Sequence, residues 1–142
     1  MQEIKGFEGK YRFLSNFYPV EIEFEGHKYQ SSEAAYQASK SDNEDVKKTF
    51  TTKNAREARR LGQSIKVRED WDQEKLNVMY RILRVKFSCE PLRSMLLDTE
   101  DSYIEETNYW HDTFWGVYNG KGENHLGRLL MVVRDELKED II

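Results

Sequence analysis

The chain has 142 residues with a formal net charge of -4 at pH 7, and 34% of its residues are charged. This length fits one ordinary domain that buries about two thirds of its unfolded surface, and an aromatic share of 13% is too high for a disordered chain. The negative charge argues against affinity that comes from neutralising many phosphates, although one strand end or one flipped base stays compatible.

Cysteine and histidine usage gives no sign of a metal site. Cys89 is the only cysteine, so a disulfide framework and a thiolate cage are both excluded. His27, His111 and His125 lack metal-ligand spacing, although carboxylates could recruit a transient magnesium ion. With no apolar run typical of a signal peptide or membrane span, we expect a cytoplasmic protein with no cofactor, no resident metal and no membrane partner.

The first thirty residues are strand-like. Apolar and acidic residues alternate strictly from Val20 to Glu25, and Gly26 turns the chain into a second strand. The preceding segment 13–19 has a Ser-Asn centre and a closing proline, which predicts an irregular aromatic loop that includes Asn16. A small antiparallel sheet built largely from N-terminal strands is therefore expected.

Helical patterns dominate the remainder. Ser31 or Ser32 can cap a helix that runs to about Lys40 and places Glu33 in its first turn. Together with a short strand over 103–107, these patterns predict a mostly helical α+β single domain over residues 1–142. Further helices are predicted over 46–50, from a capping box at Asn54 to Gly62, from Asp70 to about Phe87, from Glu90-Pro91 through Leu97, and from a cap at Asn124 through Leu137.

Glu33 and Asp112 are the candidate catalytic residues. In a first helical turn the dipole keeps a carboxylate ionised, and complementing that dipole is also the alternative explanation of Glu33. Asp112 lies in a long loop rich in Trp, Tyr and Gly, as functional loops often are, with a turn-forming aspartate as the alternative. Two carboxylates beside an anomeric carbon can stabilise an oxocarbenium-like transition state and move a proton.

The candidate substrate-binding residues are aromatic, basic and glycine-loop residues. Trp71 follows an acid at a helix start and Trp115 precedes a glycine, so both are expected near a surface cleft, where they could stack on a base; core packing is the alternative. The basic candidates for phosphate binding, for which a solvated helix face is the alternative, are Lys40, Arg68, Lys75 and Lys86. Gly122 and Asn124 close a glycine-rich segment that could cradle phosphate or ribose.

A series of short motifs in a fixed order resembles the NADAR superfamily, in particular its YbiA-like members. The resemblance runs from about Phe7 to Leu137. The motifs are Leu14-Ser15-Asn16-Phe17, Ser32-Glu33 with Tyr36-Gln37 and Lys40, Ala58 with Leu61-Gly62, Arg68 with Asp70-Trp71 and Lys75, Val78-Met79, Lys86-Phe87, Asp112 with Trp115-Gly116, and Gly120-Lys121-Gly122 with Asn124, Leu126-Gly127 and Leu130-Met131.

This resemblance implies a compact α+β domain that hydrolyses N-glycosidic bonds, with functional positions at Glu33, Trp71, Asp112 and Trp115. YbiA-like members cleave early riboflavin biosynthesis intermediates of the 5-amino-6-(5-phosphoribosylamino)uracil type and release ribose 5-phosphate. Other members remove ADP-ribose from guanine in nucleic acid, which gives the first alternative substrate. A binding module for ADP-ribose or a related NAD metabolite, without turnover, is the second alternative.

Two positions depart from the family pattern. Ala34 stands where many relatives have histidine after the motif glutamate, and Val117-Tyr118 stands where many have a glycine-rich pair. Both departures concern the shape of the pocket, so the resemblance implies the chemistry and leaves the substrate open.

Overall fold

The structure is a computed structural model that describes residues 2–140. In chain order the elements are β1 (Glu3–Lys5), a 3₁₀ helix (Gly9–Leu14), β2 (Ile22–Phe24), β3 (His27–Tyr29), α1 (Ser32–Ala38), α2 (Glu44–Thr49), a second 3₁₀ helix (Phe50–Thr52), α3 (Ala55–Gly62), α4 (Trp71–Lys86), α5 (Leu92–Leu97), β4 (Tyr103–Glu105) and α6 (His125–Glu139). The mostly helical α+β prediction is confirmed.

The chain divides into two compact units. One is Asn16–Lys86, and the other combines Met1–Ser15 with Phe87–Ile142. The expectation of a single domain over the whole chain stays a prediction. No helix within residues 2–140 is both long and apolar enough to cross a bilayer.

In the unit Asn16–Lys86, the predicted antiparallel hairpin is present. Strands β2 and β3 pair with Ile22 opposite Tyr29 and Phe24 opposite His27. Ile22 and Phe24 are buried whereas Glu23 between them is exposed, as the alternating sequence requires of a strand with one face in the core. The segment before the hairpin is more regular than expected, because residues 13 and 14 close a 3₁₀ helix.

Local capping explains where α1 and α3 begin in this unit. The Ser31 hydroxyl accepts a hydrogen bond from the backbone of Ala34 at 3.1 Å, which begins α1 as predicted. Asn54 and Glu57 form a complete capping box at the start of α3. Helices α1 and α3 pack against each other, which places the site residues of α1 on a fixed support.

The other unit contains a parallel strand pair that the sequence did not indicate. Strand β1 pairs in parallel with β4, with Ile4 opposite Ile104. Helix α6 packs on β4, and Gly127 permits a close approach, because a Cβ there would lie 2.2 Å from the Ile104 carbonyl oxygen. The small sheet content therefore consists of one antiparallel and one parallel pair within the described residues.

Asn124 precedes α6 but does not cap it, so the predicted capping role is wrong. Its backbone is left-handed with φ 53°, and its side chain makes no hydrogen bond to the first turn of the helix. The amide instead donates to the Ile104 carbonyl at 2.9 Å and accepts from the backbone N–H of Glu106 at 3.0 Å. Asn124 thus ties β4 and the residue after it to the start of α6.

Candidate functional site

Glu33 lies in the first turn of α1 and is half-buried. The Gln37 amide, one turn later, donates a hydrogen bond from Nε2 to Glu33 Oε2 at 2.7 Å. The backbone N–H of Glu33 donates to the Asn16 carbonyl oxygen at 3.0 Å. Both the position of the backbone and one oxygen of the carboxylate are therefore fixed by neighbours.

Asn16 supports the start of α1. The Ser32 hydroxyl donates to Asn16 Oδ1 at 2.9 Å, and the Asn16 amide contacts the Met79 sulfur at 3.6 Å. These bonds join the segment before the hairpin to α1 and α4. The predicted role of Asn16 in substrate binding stays a prediction, and the structure gives it a supporting position beside Glu33.

Tyr36, which follows Glu33 by three residues on α1, forms an aromatic pair with Trp71 at the start of α4. Their ring centroids are 5.1 Å apart at an interplanar angle of 55°, within the range of favourable aromatic pairs. Both side chains are 7% exposed, so Trp71 is mostly packed inside the fold, and the cleft expected beside it stays a prediction. As the first residue of α4, Trp71 is packed against α1, and Tyr36 extends the aromatic surface that the sequence attributed to tryptophan alone.

Lys40 is a half-buried cation beside this pair. Its ammonium lies 5.8 Å from the Tyr36 ring centroid, within cation–π range. Burial lowers the pKa of Lys40 below its ordinary value of 10.5; the Glu33 carboxylate opposes this shift, while Arg59 and Lys75 add to it. A carboxylate and a group of cations are thus within electrostatic range of one another.

Arg59 is the cation that the sequence analysis missed. It stands on α3 three residues before Gly62 and is exposed, and its charge acts on Lys40. Its position could have been inferred in part from the sequence, because Arg59 and Gly62 are three residues apart and such residues share a helix face. The sequence did not show that Arg59 on α3 lies within electrostatic range of Lys40.

Arg68 is held by a neighbouring acid. Its Nε and Nη2 donate to the two Asp70 carboxylate oxygens at 2.6 and 2.8 Å, and this hydrogen-bonded pairing raises the pKa of Arg68. Its backbone N–H also donates to the Lys40 carbonyl at 2.7 Å. The predicted phosphate contact of Arg68 stays a prediction, but the fork that would bind a phosphate is bound to Asp70.

Lys75 and Lys86 differ sharply in exposure. The Lys75 ammonium is 3.4 Å from the exposed Asp72 carboxylate, and about a quarter of the Lys75 side chain is exposed. Lys86 is only 3% exposed, and its ammonium lies 5.9 Å from the Tyr18 ring centroid. The expectation that both lysines receive a phosphate along one helix face is therefore wrong for Lys86, which the last turn of α4 turns into the core.

In the unit that contains the long loop, Asp112 shapes the chain around itself. Its Oδ1 accepts hydrogen bonds from the backbone N–H groups of Phe114 at 3.0 Å and Trp115 at 2.9 Å. The Asn108 amide donates to the Asp112 carbonyl at 2.9 Å. The turn-forming explanation of Asp112 is thus correct in geometry, and a catalytic role stays a prediction to be tested beside it.

Trp115 is partly exposed and belongs to an aromatic group. Its ring meets Phe114 edge-on at 4.9 Å and His125 at 6.5 Å between centroids. Gly122 has φ 148°, and a Cβ there would lie 2.2 Å from the Gly116 carbonyl oxygen, so the loop needs glycine. Asn124, whose side chain is bound to backbone groups, is 3% exposed. Substrate contacts of Trp115, Gly122 and Asn124 stay predictions.

A concavity of about 640 Å³ in the same unit contains none of the candidate residues. It is lined by residues of the first 3₁₀ helix and of the segment 95–102, Tyr11, Phe13 and Thr99 among them. Within residues 2–140, no three His, Cys, Asp or Glu side chains are grouped so that they could hold a metal ion.

The α+β fold thus carries an amide-bound glutamate, a half-buried cation and a pair of aromatic rings on neighbouring elements. The chain belongs to the NADAR domain family, whose model matches residues 5–138. The predicted resemblance is confirmed.

Two bacterial proteins illustrate the sequence similarity. The chain is 41% identical over 132 residues to riboflavin biosynthesis protein VVA0006 of Vibrio vulnificus (strain YJ016), and the match spans 89% of this chain and 36% of that protein. It is 35% identical to N-glycosidase YbiA of Shigella boydii, with 89% of this chain and 82% of that protein covered.

A solved structure is also similar. The NMR structure of the Escherichia coli protein YbiA matches with a TM-score of 0.86 and 32% identity, covering 99% of this chain and 89% of the other. The chain thus spans about a third of the Vibrio protein's length and most of the YbiA proteins' length.

Proposed function

We propose that the chain is an N-glycosidase that hydrolyses the bond between a nitrogenous base and a ribose phosphate. The observation that carries the proposal is the position of Glu33, a fixed carboxylate within electrostatic range of the half-buried cation Lys40. A carboxylate can stabilise positive charge at an anomeric carbon, and a cation can hold the phosphate of the same sugar. The similarity to proteins named N-glycosidase YbiA supports this activity.

The reaction needs a water molecule and two acid–base steps. As the bond from the anomeric carbon to nitrogen breaks, the electron pair leaves with the base, which takes up a proton, and water adds to the sugar as it loses one. Glu33 is proposed to stabilise the oxocarbenium ion or to activate the water, and the same two roles are the ones predicted for Asp112. The Tyr36–Trp71 pair is proposed to border the base, and contact of Trp115 with the base stays a prediction.

The phosphate group is proposed to contact Lys40, Lys75 and Arg59. Arg59 and Lys75 each lower the pKa of Lys40 through repulsion between like charges, which an anion bound near Lys40 would relieve. Arg68 is the weakest of the predicted phosphate ligands, because its guanidinium is already paired with Asp70. Its proposed part is to anchor the backbone of Lys40.

The substrate proposed first is an early riboflavin biosynthesis intermediate of the 5-amino-6-(5-phosphoribosylamino)uracil type. The name of the Vibrio relative, riboflavin biosynthesis protein, supports this choice. The experiment is to incubate the protein with that ribosylamine and to measure ribose 5-phosphate over time beside a Glu33→Gln control. We expect release by the unaltered protein and about a thousandfold slower release by the variant; equal rates would exclude the proposal.

ADP-ribose attached to guanine is the second candidate substrate. Three cations near one site exceed what a single phosphate monoester needs, and they would suit a diphosphate. Mass spectrometry of an ADP-ribosylated oligonucleotide after incubation separates the two candidates, because only this one predicts loss of the whole ADP-ribose unit. An oligonucleotide of unchanged mass would reject it.

A further inference from the structure

Gln37 has an unusual environment for a polar side chain. It lies on α1 and is 6% exposed, with its Nε2 donating to Glu33 Oε2 at 2.7 Å. Its Oε1 is buried and has no hydrogen-bond partner. Buried amide oxygens are normally satisfied, and an exception requires an explanation.

The explanation lies in the charge of Glu33. If the amide were rotated by half a turn, Oε1 would face the Glu33 carboxylate, and two acceptors would repel each other unless Glu33 carried a proton. The observed orientation gives the carboxylate a donor and leaves the amide oxygen unsatisfied. It is therefore the orientation that an ionised Glu33 selects.

Gly62 provides the space for this arrangement. A Cβ at Gly62 would lie 2.0 Å from Gln37 Oε1 and 2.8 Å from Gln37 Cδ, so no side chain fits without displacing the amide. The last residue of α3 thus has no side chain at the point where the Gln37 amide is packed.

We propose that Gln37 is a positioning residue for Glu33: its amide holds the carboxylate ionised and in one orientation, and Gly62 makes the room in which the amide is held. This inference rests on the proposed function for its role in catalysis. The hydrogen bond itself, and its effect on the protonation of Glu33, can be measured without any substrate.

The experiment compares the unaltered protein with Gln37→Met, which keeps an unbranched side chain of similar volume but has no amide. Protein labelled with ¹³C at glutamate carboxyl carbons is titrated by NMR, and the Glu33 signal is assigned by its loss in Glu33→Gln. Because a donor to the charged form favours that form, we expect the Glu33 titration midpoint in Gln37→Met to rise by about 0.5 pH unit or more. Gln63→Leu, an exposed change just beyond α3, is the control and should leave the midpoint in place.

Gln37→Glu is the second variant, for use whether or not Gln37→Met folds. Two carboxyl groups at hydrogen-bond distance share one proton, so the pair should titrate in two separated steps, one of them above the range of an isolated glutamate. An unchanged Glu33 midpoint in Gln37→Met, or two independent ordinary titrations in Gln37→Glu, would overturn the proposal.

Turnover separates this inference from the proposed function. With the ribosylamine substrate, Gln37→Met should lower kcat about tenfold or more with less than about threefold change in KM, and the acidic limb of its pH profile should move with the NMR midpoint. If the midpoint shifts but the unaltered protein releases no ribose 5-phosphate, the proposed substrate is wrong and the positioning of Glu33 stands. If the substrate is turned over and the midpoint is unchanged, only the positioning role fails.

Discussion

Asp112 Oδ1 accepts a hydrogen bond from the backbone N–H of Trp115 at 2.9 Å. The same oxygen accepts from Phe114, so one carboxylate oxygen fixes the backbone that presents the Trp115 ring. A residue that forms its own loop in this way can serve the shape of the loop, the chemistry of the reaction or both. Substitutions that keep the shape and remove the charge distinguish these roles.

Asp112→Asn should retain the loop and lose activity. Asparagine keeps an Oδ1 acceptor for both backbone N–H groups, so the melting temperature should stay near that of the unaltered protein. Loss of the charge that stabilises the oxocarbenium ion should lower kcat/KM by about 100-fold. Asp112→Ala removes both functions and should also cost about 1 kcal/mol of stability. Full activity of Asp112→Asn would show that Asp112 forms the turn and has no catalytic role.

Lys40 and Arg68 make a matched pair for testing the phosphate site, because their backbones are hydrogen-bonded to each other and only the Arg68 side chain is bound to a neighbouring acid. Lys40→Met should raise KM for a phosphorylated substrate by about tenfold, through the loss of one charge-assisted contact. Arg68→Met should raise it less than about threefold. Steady-state kinetics, with inhibition by ribose 5-phosphate as a second readout, gives both values; equal effects would show that the Arg68 side chain leaves Asp70 to bind substrate.

Asn124 should matter more to folding than an asparagine that caps a helix. Asn124→Ala leaves the Ile104 carbonyl and the Glu106 N–H without their buried partner, at a cost of about 2 to 4 kcal/mol. Asn43, whose side chain caps α2 at 3.1 Å in an exposed position, is the control; Asn43→Ala should cost about 1 kcal/mol. Urea unfolding measures both, and similar losses would mean that the Asn124 bonds are replaced by water.

The features that the sequence predicted correctly are local ones. The Ser31 cap and the Asn54–Glu57 capping box join residues three apart, and the β2–β3 hairpin turns within two residues. In each case the interacting groups are neighbours along the chain, so residue type and spacing are enough. The same holds for Glu33, whose place in a first helical turn follows from the cap.

The features that were missed depend on residues brought together from distant segments. The parallel pairing of β1 with β4 joins segments that are far apart in the sequence, and no periodicity within either strand encodes a partner. Likewise, the contact of Gly62 with Gln37 and the nearness of Arg59 to Lys40 arise from the packing of α3 on α1. Arg68 is a different case. Asp70 lies two residues away in the sequence, so the pairing of the two side chains could have been predicted, and this pairing occupies the guanidinium that was expected to bind phosphate.

Lys86 should make the stability of the protein depend on pH in a way that one substitution removes. Burial lowers the pKa of Lys86 from 10.5 to about 7, so between these values the unfolded chain binds a proton that the folded chain does not. The free energy of unfolding therefore rises as the pH increases from about 7 to 10.5, and it decreases again as the pH is lowered toward 7. Lys86→Met removes the titrating group, so the stability of the variant minus that of the unaltered protein should fall by about 1 kcal/mol for each pH unit between 7.5 and 9.5.

Urea unfolding at several pH values measures this difference, with Lys75→Met as the control on the exposed part of α4. A difference that stays constant with pH would show that Lys86 remains charged inside the folded protein.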